Sequence, residues 1–379
     1  MDFTFSEEQQ AAAEAARGVF ADVAPDAVPS PALTPGPVAD DLDRALWAKL
    51  AGADLLSLLL APEHGGAGLD TVALCLVLRE AGRVLARVPL LETSAAAATL
   101  HRFADVRTAD RAALLTAAGR GERVLTVAAH GRTGHDPAER AVTARRDGDH
   151  WLLDGTQTAI PWAYEADWTL VPAHTGDDRS VLALVPRGLA GSTLAEQVST
   201  SGERLGELRL DGARVPAGDV LEAEGAWEWL RDVLATGTCA LALGLGERVL
   251  RMTGEYAGRR EQFGYPIATF QAVAVQAADR YIDLRAMEAT LWQAAWRLDS
   301  GTAGALPVSG DVAVAKIWAA DGVRRVVQTA QHLHGGFGAD VEYPLHRYHA
   351  WAKHLELSLG PAAAHEETLG DLLASHALT

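Results

Sequence analysis

The chain reads Arg259-Arg-Glu-Gln-Phe-Gly-Tyr-Pro-Ile-Ala-Thr-Phe-Gln271 in one place and Gln331-His-Leu-His-Gly-Gly-Phe-Gly-Ala-Asp-Val-Glu-Tyr-Pro344 in another. These two stretches carry most of the information about the fold and the function of the chain. Arg260 supplies a planar cation with several donors. Gly335 and Gly336 lack Cβ atoms, so the backbone there can approach a bound molecule closely. The plainer interpretations are a solvated arginine at a helix end and a glycine that ends a helix.

Hydrophobic periodicity divides the 379 residues into three zones. Residues 1–119 and 221–379 follow a helical period, whereas residues 120–220 show short alternating runs bounded by Gly and Asp. The turn Asp147-Gly-Asp149 between two such runs predicts a β-hairpin. We therefore predict an α+β fold with an N-terminal α-helical domain, a central small β-barrel or sandwich, and a C-terminal four-helix bundle.

The helical zones contain recognisable boundaries. Ser6 is a predicted N-cap followed by acidic residues. The proline-rich segment 25–37 predicts a surface loop, and a helical run follows over residues 38–60. In the C-terminal zone we predict four long helices, which are 227–258, 267–300, 308–334 and 348–375.

Composition excludes several classes of function. The formal net charge of -17 opposes nucleic-acid binding, which requires a basic field. Two cysteines, Cys75 and Cys239, form neither a disulfide framework nor a zinc cluster and are expected to be buried and reduced. Apolar runs are far too short to span a membrane, and the N-terminus lacks the pattern of a signal peptide. We expect a cytoplasmic protein without a membrane span.

Together with the order of the three zones and the turn at residues 62–70, the two quoted stretches resemble the acyl-CoA dehydrogenase family. Within that family, residues 338–348 and 355–360 are most similar to the base-lacking subunits of the α2β2 dehydrogenases of actinobacterial steroid side-chain catabolism. The resemblance implies FAD as the cofactor, shared at a subunit interface. It also implies that a set of residues in this chain reaches the adenosine and pyrophosphate half of a neighbour's FAD, namely Arg260, Gln262, Phe263, Gln271, His332, Gly335 and Gly336. For His332 the alternative is a buried structural histidine.

Departures from the family pattern lie where a chain would hold its own flavin. The family's flavin-contacting tryptophan is replaced by Ala159, and Pro161 stands at a position where the family has a threonine and a backbone donor. Leu359 and Leu234 occupy the two positions at which family members carry the catalytic carboxylate. Neither leucine can accept a proton, so catalytic residues are absent by this alignment. Glu356, about one helical turn upstream of Leu359, is the remaining candidate if the register is shifted.

The resemblance and its departures together predict a non-catalytic partner subunit of a heteromeric acyl-CoA dehydrogenase. Its expected partners are a sister subunit carrying the catalytic glutamate, an acyl-CoA bound by the complex, and an electron-transfer acceptor. Two alternatives are a self-sufficient homotetrameric dehydrogenase with a relocated base and a flavin-free scaffold homodimer. A steroid-CoA substrate is implied by the resemblance alone.

The remaining polar candidates have plainer interpretations. Thirteen histidines occur, and those of the C-terminal zone lack the spacing of a metal site. His130 and His135 are expected in an exposed loop. Glu366 and Glu367 are expected on a solvated helix face.

Overall fold

The computed structural model describes residues 4–25, 42–104, 109–177 and 179–376. Within these described ranges five α-helices precede the sheet, and they are α1 (Glu7–Phe20), α2 (Arg44–Gly52), α3 (Thr71–Arg83), α4 (Leu90–Phe103) and α5 (Ala109–Gly119). Ser6 caps α1 as predicted, since its hydroxyl accepts from the Gln9 backbone while the Gln9 side chain accepts from the Ser6 backbone. Asp70 caps α3 in a similar way.

Eight strands form one mixed sheet after these helices. They are β1 (Leu125–Val127), β2 (Val142–Asp147), β3 (His150–Pro161), β4 (Trp168–His174), β5 (Ser180–Pro186), β6 (Ser192–Val198), β7 (Arg204–Pro216) and β8 (Val220–Leu221). The order across the sheet is β6-β7-β3-β2-β4-β5-β8, with β1 parallel to β4. The predicted hairpin is confirmed, because β2 and β3 pair antiparallel from Asp147–His150 outward.

The C-terminal part is helical again. It contains α6 (Ala226–Arg259), a short hairpin of β9 (Glu261–Gln262) and β10 (Tyr265–Pro266), α7 (Gln271–Ser300), α8 (Val308–His334), α9 (Leu345–Leu357) and α10 (Ala362–Ser375). Helix α8 packs against α6, α7, α9 and α10, and α6 also packs against α3 and α4 of the N-terminal part. The fold is therefore an N-terminal helical domain, a central mixed sheet and a C-terminal helical domain.

Helix α6 is central to this arrangement. Within the described residues it is the one helix long and apolar enough to cross a membrane, and 78% of its apolar window is buried inside the protein. Both predicted buried thiols are confirmed, with Cys239 on α6 and Cys75 on α3. The apolarity of α6 is thus accounted for by contacts with helices on both sides.

Two predicted helices have the wrong extent. The run predicted over residues 348–375 is broken at 358–361, where Leu359 and Gly360 both adopt positive φ angles. Of the run predicted over 38–60, the described part from residue 42 onward is α-helical from Arg44 to Gly52, and Asp54 then turns the chain with a positive φ. Apart from Pro25, the predicted proline-rich loop lies outside the described residues.

Candidate functional site

A small cavity lies where α4, α6, the end of α9 and the sheet meet, and we call it the inner cavity. Its volume is about 90 Å³, well below the roughly 300–1,000 Å³ typical of pockets for drug-sized ligands. Leu234 of α6 and Leu359 of the α9–α10 turn both line it. Ala159 and Pro161 of β3 line the same cavity. The structure therefore brings together all four of these residues, which lie up to 200 positions apart in sequence.

Leu359 is locked into the wall of the inner cavity. Its φ is 58°, a conformation unusual for a residue with a branched side chain. Its carbonyl oxygen lies 2.9 Å from His365 Nε2. Lys316, fully buried on α8, donates from Nζ to the Leu355 and Glu356 carbonyls at 3.1 and 3.3 Å. These bonds satisfy carbonyls at the end of α9 and fix the turn that presents Leu359.

Burial shifts the pKa of three titratable groups in the inner cavity toward their neutral forms. Burial raises the pKa of Glu92 to about 7, against smaller lowering contributions from backbone and Trp162 hydrogen bonds. Burial lowers the pKa of His130 to about 3 and that of His354 to about 4, assisted by the charge of Lys316. Near neutral pH the two imidazoles are uncharged.

His130 contradicts its expected exposure. It is only 8% exposed, and its Nε2 lies 3.2 Å from Ser358 Oγ in the α9–α10 turn. The sequence prediction was wrong because the loop after β1 folds back, with Thr158 donating to the Gly131 and Arg132 carbonyls. His135 is exposed, as predicted.

Glu356, the alternative base, does not line the inner cavity. Its carboxylate binds Lys353 Nζ at 3.0 Å through both oxygens, and Arg324 lies 3.9 Å away. The side chain is therefore directed toward two surface cations. Glu366 and Glu367 are exposed on α10, as predicted.

A second region lies at the ends of α6 and α8, and we call it the end surface. It consists of the predicted cofactor residues Arg260, Gln262, Phe263, Gln271, His332, Gly335 and Gly336. All seven residues are exposed to solvent, and Phe263 is 90% exposed. Phe263 and Gly264 both have positive φ, as the two-residue turn between β9 and β10 requires. The alternative of a buried structural role for His332 is thus wrong.

The glycines of the end surface leave the backbone accessible. Gly335 has φ 61° and ψ -141°, a combination that glycine adopts readily. A Cβ built on Gly335 or Gly336 would meet nothing within 4 Å, whereas one on Gly338 would meet the Gln331 side chain at 2.9 Å. Open backbone at these glycines and the exposed Arg260 at the end of α6 each suit a phosphate-bearing ligand.

The second quoted stretch contacts the end of α6, just before the first quoted stretch begins. Tyr256, one turn before Arg260, stacks on His334 with ring centroids 4.3 Å apart, and His334 directly precedes Gly335. Within the described residues no group of three or more His, Cys, Asp or Glu side chains could hold a metal ion.

Sequence reasoning missed Glu92 in the wall of the inner cavity and Lys316, which binds the end of α9. Lys316 had a usable signal, since the chain has only three lysines and this one interrupts an apolar run of α8. Glu92 likewise stands alone among apolar and small residues of α4. Their neighbours could not be read from the sequence, because those neighbours lie on other elements.

Comparison with known proteins agrees with the geometry. Residues 6–121 match the acyl-CoA dehydrogenase N-terminal domain, and residues 232–373 match the acyl-CoA dehydrogenase C-terminal domain. Acyl-CoA dehydrogenase FadE27 of Mycobacterium tuberculosis is 38% identical over 337 residues, 88% of this chain and 88% of that protein.

Two solved structures extend the comparison. A chain in the ChsE4-ChsE5 complex from Mycobacterium tuberculosis is 35% identical, with a TM-score of 0.89 and complete coverage of both chains. A chain in a variant of the Tcur3481-Tcur3483 steroid ACAD is 37% identical, with a TM-score of 0.87, covering 97% of this chain and 98% of that one. This chain belongs to the acyl-CoA dehydrogenase family.

Proposed function

We propose that this chain is the non-catalytic partner subunit of a heteromeric acyl-CoA dehydrogenase and completes the FAD site of a sister chain. The observation that carries the proposal is the pairing of Leu234 and Leu359 on one cavity. Removing a proton from Cα of an acyl thioester requires a carboxylate within hydrogen-bond reach. Both positions at which the family places that carboxylate are hydrocarbon here.

The inner cavity does not fit a flavin ring. Its volume of about 90 Å³ is that of a few water molecules, and Ala159 and Pro161 offer no side-chain donor to a ring nitrogen. Pro161 also lacks a backbone N–H. We therefore derive no chemistry within this cavity.

The end surface, by contrast, fits the diphosphate and adenosine half of FAD. Arg260 would pair with a phosphate, and the open backbone at Gly335 and Gly336 would lie against the cofactor. His332 and Gln271 would contribute hydrogen bonds from the adjoining helix ends. FAD, when bound, supplies the two-electron acceptor of an α,β-desaturation. This chain's residues bind and orient it for the sister subunit.

Exposed apolar side chains support a subunit contact beside the end surface. Val275, Ile282 and Trp296 of α7 are 51%, 62% and 40% exposed and recur at intervals of seven or fourteen residues. Seven residues are nearly two helical turns, so these side chains share one face. A partner that covers this face would also lie next to Phe263, the most exposed large apolar residue of the described chain.

The similar proteins support both a heteromeric assembly and a substrate class. One similar chain comes from a two-component complex, and another from a steroid ACAD. By this similarity we extend the proposal to a steroid side-chain CoA thioester as substrate. The complex would pass its electrons to a separate electron-transfer acceptor.

The test is co-expression with a sister acyl-CoA dehydrogenase chain that retains the family's base and flavin motifs. We expect this chain alone to purify nearly free of FAD, and the complex to carry stoichiometric FAD and to oxidise acyl-CoA in a dye-coupled assay. Replacing the sister chain's glutamate base by glutamine should abolish turnover while leaving the flavin bound.

Two results would contradict the proposal. Stoichiometric FAD and turnover in a homogeneous preparation of this chain would favour the self-sufficient dehydrogenase. A stable homodimer that binds neither FAD nor any sister chain would favour the scaffold.

A further inference from the structure

Four aromatic rings lie beneath the end surface, and we call them the ring cluster: Tyr256, His334, Phe337 and Tyr343. Tyr256 stacks on His334 with centroids 4.3 Å apart and an interplanar angle of 23°, and on Phe337 at 5.5 Å and 14°. Tyr343 lies tilted against both His334 and Phe337, at 5.3 and 4.5 Å. Each ring therefore contacts at least two others.

Hydrogen bonds fix the orientation of the central imidazole. His334 Nδ1 lies 2.8 Å from the Ala330 carbonyl, which can only accept, so Nδ1 carries the proton. Nε2 is then the acceptor for the Tyr343 hydroxyl at 3.1 Å. His334 is only 3% exposed, so its ring has little freedom to turn.

The ring cluster joins segments that are far apart in sequence. Tyr256 lies in the last turns of α6, four residues before Arg260. His334 and Phe337 flank the Gly335-Gly336 pair on either side, and Tyr343 lies in the segment that leads into α9. A hydrogen bond of 2.9 Å from Gln331 Nε2 to the Gly335 carbonyl adds a local restraint on the turn.

We propose that the ring cluster positions the Gly335-Gly336 backbone relative to Arg260, so that the two halves of the end surface act as one binding site for the diphosphate of FAD. Within the described residues the ring cluster connects the two halves, through the stacks of Tyr256 on His334 and Phe337 and the hydrogen bond of 3.5 Å that the Tyr256 hydroxyl donates to the His334 carbonyl. Its members are positioning residues and need not touch the cofactor. This inference rests on the proposed function, because it assumes that the end surface binds FAD.

The experiment titrates FAD into the flavin-free complex with the sister chain and follows flavin fluorescence. Tyr256→Ala removes both parallel stacks, and Phe337→Ala removes one stack and one tilted contact from a residue already 45% exposed. We expect each to weaken FAD binding by roughly three- to tenfold. Tyr256→Phe keeps both stacks and loses only the long hydrogen bond of 3.5 Å from the hydroxyl to the His334 carbonyl, so it should bind FAD within twofold of wild type.

Two controls separate positioning from general damage. Trp318→Ala removes an exposed aromatic side chain of α8 outside the cluster and should leave binding unchanged. The melting temperature of each flavin-free complex is measured too, because a merely structural role lowers it without changing the FAD affinity of the folded complex. If Tyr256→Ala fails to assemble, Phe337→Ala decides the question.

Arg260→Ala distinguishes failure of this inference from failure of the proposed function. Wild-type affinity in Tyr256→Ala and Phe337→Ala, with weakened binding in Arg260→Ala, would overturn the positioning role alone. Wild-type affinity in Arg260→Ala would overturn the proposed FAD site and this inference with it. Equal losses in Tyr256→Phe and Tyr256→Ala would overturn the role of ring stacking.

Discussion

The inner cavity and the end surface differ in almost every physical respect. The inner cavity is small, mostly apolar and about 90 Å³ in volume, with leucines at the positions of a base. The end surface is exposed, carries an unobstructed glycine backbone and presents Arg260. The inner cavity is lined like a protein core, whereas the end surface exposes its polar groups to solvent.

The difference bears on how one fold can divide a reaction between two chains. Filling a catalytic pocket with hydrocarbon contributes to stability, so nothing in folding opposes the loss of the base. An exposed arginine and open glycines contribute little to the stability of the isolated chain. Under the proposed function, their role is to bind FAD across a subunit interface.

Truncating a side chain in the wall of the inner cavity should have the largest effect, which is a loss of folding stability. Leu234→Ala removes a side chain that is only 4% exposed, and large-to-small core changes of this kind cost about 2–5 kcal/mol. Denaturant unfolding measures the loss. Leu373→Ala, at an exposed leucine of α10, is the matched control and should cost well under 1 kcal/mol. Equal losses in both variants would contradict the description of the inner cavity as core.

The end surface should show the opposite response. Arg260→Ala removes a charge-assisted contact to phosphate, typically about 1.5–3 kcal/mol, so FAD affinity of the complex should fall tenfold or more while unfolding stays unchanged. Arg259→Ala, at the exposed neighbouring arginine, is the control and should retain FAD. Equal flavin occupancy in the two assembled variants would contradict the proposed contact between Arg260 and FAD.

Glu92 makes the inner cavity sensitive to pH. Its folded-state pKa of about 7 lies above the ordinary value of 4.5, so the folded chain holds a proton that the unfolded chain releases between these values. The contribution to stability is present below about pH 4.5 and is lost as pH rises through 7. The free energy of unfolding of Glu92→Gln, measured relative to that of wild type, should therefore rise by on the order of 2 kcal/mol between pH 5 and pH 8. Denaturant unfolding of both proteins at pH 5 and pH 8 tests this prediction. An equal change in the free energy of unfolding for the two proteins would contradict it.

Glu356→Gln should have the smallest effect. Because the carboxylate is paired with Lys353 away from the inner cavity, turnover of the complex should stay within a factor of a few. Dye-coupled acyl-CoA oxidation at equal FAD content is the measurement. A collapse of the rate with assembly intact would show that this chain supplies the base itself.

Local patterns could name candidate site residues, and the misses have physical causes. The glycine pair and Arg260 could be named because their chemistry depends on residue type and close spacing, and their role in binding FAD stays a prediction. The burial of His130 was missed because it depends on Ser358, which lies 228 positions away. The break in the last predicted helix was missed because Leu359, a good helix former, adopts a positive φ under tertiary restraints.

Periodicity and turn chemistry in the sequence were sufficient for the helix–sheet–helix order, for the hairpin at residues 147–150 and for the absence of a carboxylate at positions 234 and 359. These features depend on neighbours within a few residues, whose geometry is nearly the same in any fold. The meeting of Leu234 with Leu359, the fully buried Lys316 and the four stacked rings depend on segments 80 or more residues apart in several cases. Such contacts, and the pKa shifts that burial produces, exist only once the chain is packed.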